Sequence, residues 1–478
     1  MRARLVLVLA TTLAPAAAAQ TPELTALKKS CDLGAVADCL ALAARHLAGE
    51  GVPKDAKQAA GFFKKACEKG SGRGCLELAQ LHRAGEGVGR DVPKAIELFE
   101  RACNTGEAEG CTTVGLMSLR GTDVPVDMTR ASDLLDRGCR AGSTKACAAL
   151  GTMLESGRGV AADPKRAAEI FQKACDGGDA EACGRLAALL RDGKGVPKDM
   201  ARAIELAGRS CDNGLAMACA QLGAALETGE GVAKDLARAR TLFQKACDGG
   251  QSLGCHRLGL MTRDGVAGTK DAAAAYPLFL KGCDTGSAPA CFEQGFAQDR
   301  GRGTPANLAQ AMVLYQKACH AGEPRGCYEI GVLFGGIRGV TNDSRQQAEF
   351  FRLACEGGDA RGCSKVARFY ELGEALPRDL PKARAAYEKG CDQGLAPDCA
   401  KVAELLRKRS DGLPADPAPA VPFYAKACDG GVADACFELG NLYEKAIGVT
   451  QDLGKALELF KKACAAGDQR ACARTRGR

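Results

Sequence analysis

Every cysteine in this chain has another cysteine eight positions from it. The pairs are Cys31 with Cys39, Cys67 with Cys75, Cys103 with Cys111, Cys139 with Cys147, Cys175 with Cys183 and Cys211 with Cys219. They continue as Cys247 with Cys255, Cys283 with Cys291, Cys319 with Cys327, Cys355 with Cys363, Cys391 with Cys399, Cys428 with Cys436 and Cys464 with Cys472. Together they use all 26 cysteines of a 478-residue sequence. Successive pairs begin 36 residues apart, except for one 37-residue step between Cys391 and Cys428. A fixed period of this length marks stacked supersecondary units, each too small to bury its apolar face alone. It overrides the expectation from length, about three ordinary domains, in favour of one extended array. The absence of Trp and an aromatic content of only 5% suit thin interlocking layers better than one large core.

The rest of the period reads as two helices. Twelve positions before the first cysteine stands an aspartate in eleven of twelve repeats, from Asp55, Asp91 and Asp127 to Asp452, with Asn307 as the exception. Asp and Asn are N-cap residues, whose side chain accepts a backbone N–H left free in the first helical turn. Pro164 and Pro417 follow their caps at the position that tolerates proline best. Four residues past the cap comes an alanine, with Gln347 as the exception. Three and four residues further come apolar pairs such as Phe62-Phe63, Leu98-Phe99 and Ile170-Phe171. A small residue then precedes each cysteine, and the spacing places all of these on one stripe of a three-turn helix. A glycine three residues after each first cysteine, from Gly34 through Gly178 to Gly467, is the residue a left-handed helix stop requires.

The second cysteine opens the second helix, and four residues later, in every hairpin before the last, only Gly or Ala occurs, as at Ala43, Gly115, Gly151, Gly223, Gly259 and Gly440. This helix runs into a G-x-G-V loop, beginning at Gly49, Gly85, Gly157, Gly193 and Gly229. The fold class is therefore all-α, a solenoid of αα-hairpins with period 36. The array is irregular at Pro277 and Pro422, inside the second helical turn, where a missing N–H should kink or shorten the helix. The segments 263–271 and 406–420 also depart from the pattern, and they are places where curvature changes or a partner docks.

The N-terminus, MRARLVLVLATTLAPAAAAQ, has a basic start at Arg2 and Arg4, an apolar run from Leu5 to Leu13 and a small-residue site at Ala17-x-Ala19. It reads as an export signal over residues 1–19, cleaved near Ala19, with residues 20–478 forming the array. The apolar run is too short to span a bilayer, and no later segment is apolar for long enough. The mature protein is expected to be soluble and monomeric, secreted or periplasmic. The formal charge of +7 falls to +5 without Arg2 and Arg4, and opposite charges alternate within each repeat, so there is no basic stripe for nucleic acid.

The stretch CGRLAALLRDGKGVPKDMARAIELAGRSCDNG, from Cys183 to Gly214, resembles the Sel1-like repeat. With cysteines eight apart behind an export signal, the match is closer to the secreted cysteine-rich Sel1-like proteins of Helicobacter. The resemblance implies a right-handed superhelix of αα-hairpins, each stapled by a disulfide, with a concave face used for binding. Members of that cysteine-rich group are associated with penicillin binding and weak β-lactamase activity, whereas Sel1-like proteins at large are mostly adaptors.

The residues themselves weigh these roles. Zinc sites show Cys or His ligands two to four apart, brought together in fours, and here the spacing is uniformly eight with no histidine accompanying it. An even cysteine count in an exported chain favours thirteen structural disulfides, each joining the cysteines eight apart. The small residue beside the first cysteine lets two antiparallel helices approach within the roughly 7 Å that a disulfide spans between Cα atoms. Closing a loop of about nine residues contributes roughly 2.5 kcal/mol by the chain-entropy model. A serine β-lactamase needs S-x-x-K and K-T-G, and neither occurs. The only histidines are His46, His82, His256 and His320; His46 and His82 occupy equivalent positions in adjacent repeats, and a surface location is favoured over a metal site. The G-x-G-V loops precede an Asp cap that would repel phosphate, which makes them connectors. No catalytic, cofactor or metal residue is assigned. The expected function is an exported scaffold that binds proteins or peptides of the envelope or extracellular space through its concave face. The alternative, a β-lactamase or penicillin-binding hydrolase, rests on the family resemblance alone.

Overall fold

The computed structural model describes residues 22–336, 340–407 and 416–475. The export signal read over residues 1–19 lies outside the described residues, as does much of the 406–420 irregularity. Among the described residues there are 26 helices and no strand. They group into two compact units, divided between Ala233 and Lys234. In the first unit, consecutive helices pair from Pro22–Asp32 with Val36–Ala48 through to Met200–Asp212 with Ala216–Thr228. In the second, the same pairing runs from Leu236–Asp248 with Ser252–Asp264 to Leu453–Ala465 with Gln469–Thr475. Most helices have 13 residues, so each layer is about 20 Å across.

One hairpin shows how the local sequence builds the unit. Asp163 caps the helix Pro164–Asp176 by accepting the Arg166 N–H at 2.9 Å, and Pro164 occupies its first position. Ala167, Phe171, Ala174 and Cys175 form the buried stripe. Gly178 then takes φ +91°, its N–H donating to the Cys175 carbonyl, while the Asp179 N–H donates to the Ala174 carbonyl. A Cβ at Gly178 would meet nothing within 4 Å, so glycine is required there by backbone conformation alone. Asp179 next caps the second helix, Ala180–Asp192, by accepting the Ala182 N–H at 2.8 Å.

A disulfide closes each hairpin. In the first unit Cys31 is bonded to Cys39, Cys67 to Cys75, Cys103 to Cys111, Cys139 to Cys147, Cys175 to Cys183 and Cys211 to Cys219. In the second unit Cys247 is bonded to Cys255, Cys283 to Cys291, Cys319 to Cys327, Cys355 to Cys363, Cys391 to Cys399, Cys428 to Cys436 and Cys464 to Cys472. The Cα atoms of a bonded pair are between 4.4 and 4.8 Å apart in every hairpin, well inside the reach of a disulfide. That uniformity follows from the sequence, since the same small residue, helix stop and eight-residue spacing recur around each bond.

Neighbouring hairpins meet through the small residue four places after the second cysteine. A Cβ on Gly151, Gly259, Gly331 or Gly440 would stand 2.6 to 2.7 Å from the ring of Phe171, Phe279, Phe351 or Phe460 in the next first helix. Gly115 faces Leu135 in the same way. The second glycine of the G-x-G-V loop has a different neighbour, the N-terminus of its own hairpin's first helix. A Cβ on Gly195 would lie 2.4 Å from the Pro164 carbonyl carbon, and one on Gly87 2.2 Å from that of Ala56. Most of these loops are closed by the next cap residue, as in the Asp55 N–H donating to the His46 carbonyl at 2.9 Å. Register is also marked by charge: Lys65 pairs with Asp32 at 2.5 Å, Lys426 with Asp392 at 3.3 Å and Lys462 with Asp429 at 2.7 Å. These exposed pairs contribute little energy each but penalise a slip of one hairpin on the next.

Two proline expectations need correction. Pro417 does not open a helix: the helix begins at Ala420 and has only 10 residues. Pro422 cannot donate to the Ala418 carbonyl, and the first turn is instead closed by a Val421 N–H to Ala418 contact at 3.3 Å. Pro277, by contrast, shortens nothing, and Ala272–Asp284 keeps 13 residues. There Asp271 caps the Ala274 N–H at 2.9 Å, and buried Ala275, Phe279 and Cys283 hold the helix past the missing bond. Where Gln347 replaces the core alanine, Ala348 takes the fully buried place one position later.

Candidate interaction face

The second helices of successive hairpins lie side by side, and their outward residues compose one face in each unit. In the first unit a groove of about 700 Å³ crosses the helices Ala108–Arg120, Thr144–Ser156 and Ala180–Asp192. Its floor includes the buried Met153, Phe171 and Ala182, and its walls Leu116, Leu119, Ala148, Ala149 and Thr152. Arg120, Lys145 and Arg158 stand around it, together with Val126, which is 56% exposed. At one end Arg185 binds Glu155 and Glu181, both at 3.0 Å. The second unit has a groove of about 580 Å³ on the same kind of face, lined by Tyr328, Val332, Phe351, Phe369, Lys365 and Arg368 among others.

At several other places on this face charge is paired from one hairpin to the next. The residue eight places after a second cysteine meets the residue two places after the following one. Glu155 meets Arg185 in this way, and Arg263 meets Glu293 at 2.6 Å. Glu371 with Lys401 and Arg407 with Glu438, each at 3.5 Å, and Glu444 with Arg474 continue the pattern. In the groove of the first unit the equivalent positions are Leu119 and Ala149, so an apolar rung replaces an ionic one. In the second unit arginines also stack on aromatic rings of the preceding second helix: Arg325 on Phe292 at 4.3 Å, Arg361 on Tyr328 at 4.0 Å and Arg470 on Phe437 at 4.3 Å. Flat cation–π contacts of this kind fix the spacing of helices as well as adding attraction.

The histidines correct the sequence reading. His46, His82 and His256 are buried, between 8% and 9% exposed, and not on the surface. His46 stacks on Phe62 with ring centres 5.6 Å apart, and His256 lies 6.4 Å from Phe279. Each lies at an interface between adjacent hairpins, where an amphipathic ring fills space that leucine fills elsewhere. Burial, with Arg257 and Arg325 nearby, pushes the His256 imidazole down to about 4. Asp398 is the opposite case. It is 3% exposed, accepts the Ser364 hydroxyl at 2.8 Å, and burial pushes its carboxyl up to about 6. Gly390 makes room for it, since a Cβ there would lie 2.0 Å from Asp398 Oδ2.

The cysteines lie within the layers and do not line the groove of the first unit; among the described residues none is free and no cluster of His, Cys, Asp or Glu is placed to hold a metal. Among them, too, no helix is long and apolar enough to cross a membrane. Leu116, Leu119, Arg120, Lys145 and Arg158 escaped the sequence reading. Leu119 is apolar at a repeat position that carries an ion-paired charge in several other hairpins, whereas nothing in the repeat pattern singles out Leu116, Arg120, Lys145 or Arg158.

Fold and face together define a class: an all-helical repeat protein of disulfide-closed hairpins, presenting side chains on a helical face in each unit. Within that class the chain belongs to the Sel1 repeat family, whose signature matches residues 37–71, 72–106, 108–143, 144–179, 180–215, 216–251, 252–287, 288–323, 324–359, 360–395, 397–432 and 433–468. Each Sel1 unit starts with a second helix and ends after the next first helix, so every disulfide within residues 37–468 ties two consecutive units. Among solved structures, a protective antigen of uropathogenic Escherichia coli with an SLR fold is similar at 24% identity and TM-score 0.66, over 87% of this chain and 89% of that one. A Sel1 repeat protein from Oxalobacter formigenes is similar at 23% identity and TM-score 0.53, over 68% and 93%. Cysteine-rich protein B of Helicobacter pylori matches at 23% identity and TM-score 0.14, over 34% and 92%. No curated protein sequence matches the chain.

Proposed function

We propose that this protein is an exported, non-catalytic repeat scaffold that binds proteins or peptides through the face of its second helices. Residues 1–19 act as its export signal, and residues 20–478 work as a monomer in the cell envelope or outside the cell, with no cofactor. The observation that carries the reading is the groove across Ala108–Arg120, Thr144–Ser156 and Ala180–Asp192, with its apolar walls and unpaired charges. The thirteen disulfides support an oxidising compartment as the site of folding. Repeat solenoids of this kind use such faces for protein contact. The test is cross-linking of the native protein in an envelope fraction, followed by mapping of the linked peptides. The expected result is one protein linked to second-helix residues, lost in Leu119→Glu. Links confined to the opposite face would overturn the reading. N-terminal sequencing of the exported protein should begin near Gln20, and nitrocefin turnover should stay at background.

A further inference from the structure

Three cations border the groove of the first unit without an anion to hold them. Among the described residues Arg120, Lys145 and Arg158 have no ion-pair partner, whereas the nearby acids are engaged. Glu155 and Glu181 are held by Arg185, and Asp179 caps its helix through the Ala182 N–H. Between the free cations the walls are aliphatic, formed by Leu116, Leu119 and Ala149, at the one place in this groove where an ion-paired rung is replaced. The cations are also spread along the groove. Lys145 stands in the first turn of the 13-residue helix Thr144–Ser156, and Arg158 lies just beyond its end. That separation is about 20 Å at 1.5 Å per helical residue, which an extended chain spans in about six residues at 3.3 Å each.

We infer that this groove takes an extended acidic peptide segment, with an aliphatic side chain seated between Leu116 and Leu119. Carboxylate side chains about six residues apart meet Lys145 at one end and Arg120 with Arg158 at the other. The inference rests on the scaffold reading and gives it a ligand class. A basic segment would leave three like charges facing it, and a neutral one would leave the cations unsatisfied.

The probe is a capped heptapeptide with Glu at both ends, Leu at the centre and Ala elsewhere, titrated calorimetrically into the intact oxidised protein. The expected result is binding that weakens at least tenfold when Lys replaces Glu in the peptide, and severalfold between 50 and 300 mM salt, values set by about two or three neutralised charges. The triple variant Arg120→Gln, Lys145→Gln, Arg158→Gln should lose at least tenfold in affinity with an unchanged thermal melt, since all three side chains are on the surface. Equal binding of the Lys peptide, full affinity in the triple variant, or no binding of the Glu peptide overturns the proposal. A mixed peptide library separates the two levels. If neutral or basic peptides bind instead and Leu119→Glu abolishes it, the acidic specificity falls and the scaffold reading stands. If no peptide binds and no envelope protein cross-links to the face, both fall.

Discussion

Gly151 faces the ring of Phe171 so closely that a Cβ on the glycine would stand 2.6 Å from Phe171 Cε1. Both residues are buried, one on the second helix of a hairpin and the other on the first helix of the next. The contact sets how near adjacent layers approach. Gly151→Ala gains helix propensity of about 1 kcal/mol, but overpacking a buried ring costs about 1–3 kcal/mol. The expected net effect is a loss of about 1 kcal/mol, read from thermal or denaturant unfolding. Adding Phe171→Leu should make the two changes less than additive, because the smaller side chain vacates the contested space. Strict additivity would show that the glycine has another role.

Among the described residues, four loop positions adopt a left-handed backbone without being glycine: Asp123, Ala267, Ala375 and Ala446, with φ between 53° and 65°. Asp123 is helped by its ion pair to Arg83 at 3.4 Å, but the alanines have only the cost of the Cβ. That cost is about 1–2 kcal/mol, reduced by the greater unfolded-state freedom of glycine, about 0.4–1 kcal/mol. Ala267→Gly and Ala446→Gly should therefore each stabilise the protein by roughly 0.5–1 kcal/mol. A drop in melting temperature would contradict this.

The acid dependence of stability should carry two opposing contributions. Asp398 binds its proton more tightly folded, at about 6, than unfolded, at about 3.9, so its contribution to stability falls as pH rises from about 4 to 6 and is constant above. His256 binds its proton less tightly folded, at about 4, than unfolded, at about 6.5, so stability falls as pH drops through that window. Each full difference is about 3 kcal/mol. Asp398→Asn leaves the histidine contribution alone and should steepen the loss on acidification relative to the native chain. His256→Leu should make the loss shallower. Parallel pH profiles for all three proteins would contradict both assignments.

Because the Cys175–Cys183 disulfide joins consecutive Sel1 units, it acts on the nearest-neighbour interface that a linear array depends on. The double variant Cys175→Ala, Cys183→Ala should lose roughly 2.5 kcal/mol locally. Hydrogen exchange should speed up most in Pro164–Asp176 and Ala180–Asp192. Uniform acceleration across the chain would mean that the staples act globally.

How much of this could be read in the sequence depended on which residues repeat. Asp163, Ala167, Phe171 and Gly178 recur at fixed places because cap, core and helix stop are local demands, and these placed both helices and the turn. Gly151 was seen as small, but the ring it accommodates lies in another hairpin and no local rule names it. The helix holding Pro422 is shortened to 10 residues, whereas the one holding Pro277 keeps 13 because cap and core contacts outweigh one missing bond. His46, His82 and His256 differ from the surface expectation for a tertiary reason, since burial at an interface between hairpins cannot be inferred from polarity, whereas His320 is exposed. The groove is not legible in the sequence because no local rule marks it: Leu119 and Ala149 are apolar where several hairpins carry an ion pair, but Leu47 stands at the same position as Leu119.

The array is held hairpin by hairpin, so peptide mapping of the oxidised protein without reduction is the most direct measurement. The expected result is thirteen cross-links, each joining a cysteine to the one eight residues away, from Cys31 with Cys39 to Cys464 with Cys472, and no free thiol. Cross-links between cysteines 36 residues apart, such as Cys39 with Cys75, or a substantial free-thiol content, would contradict a solenoid closed one hairpin at a time.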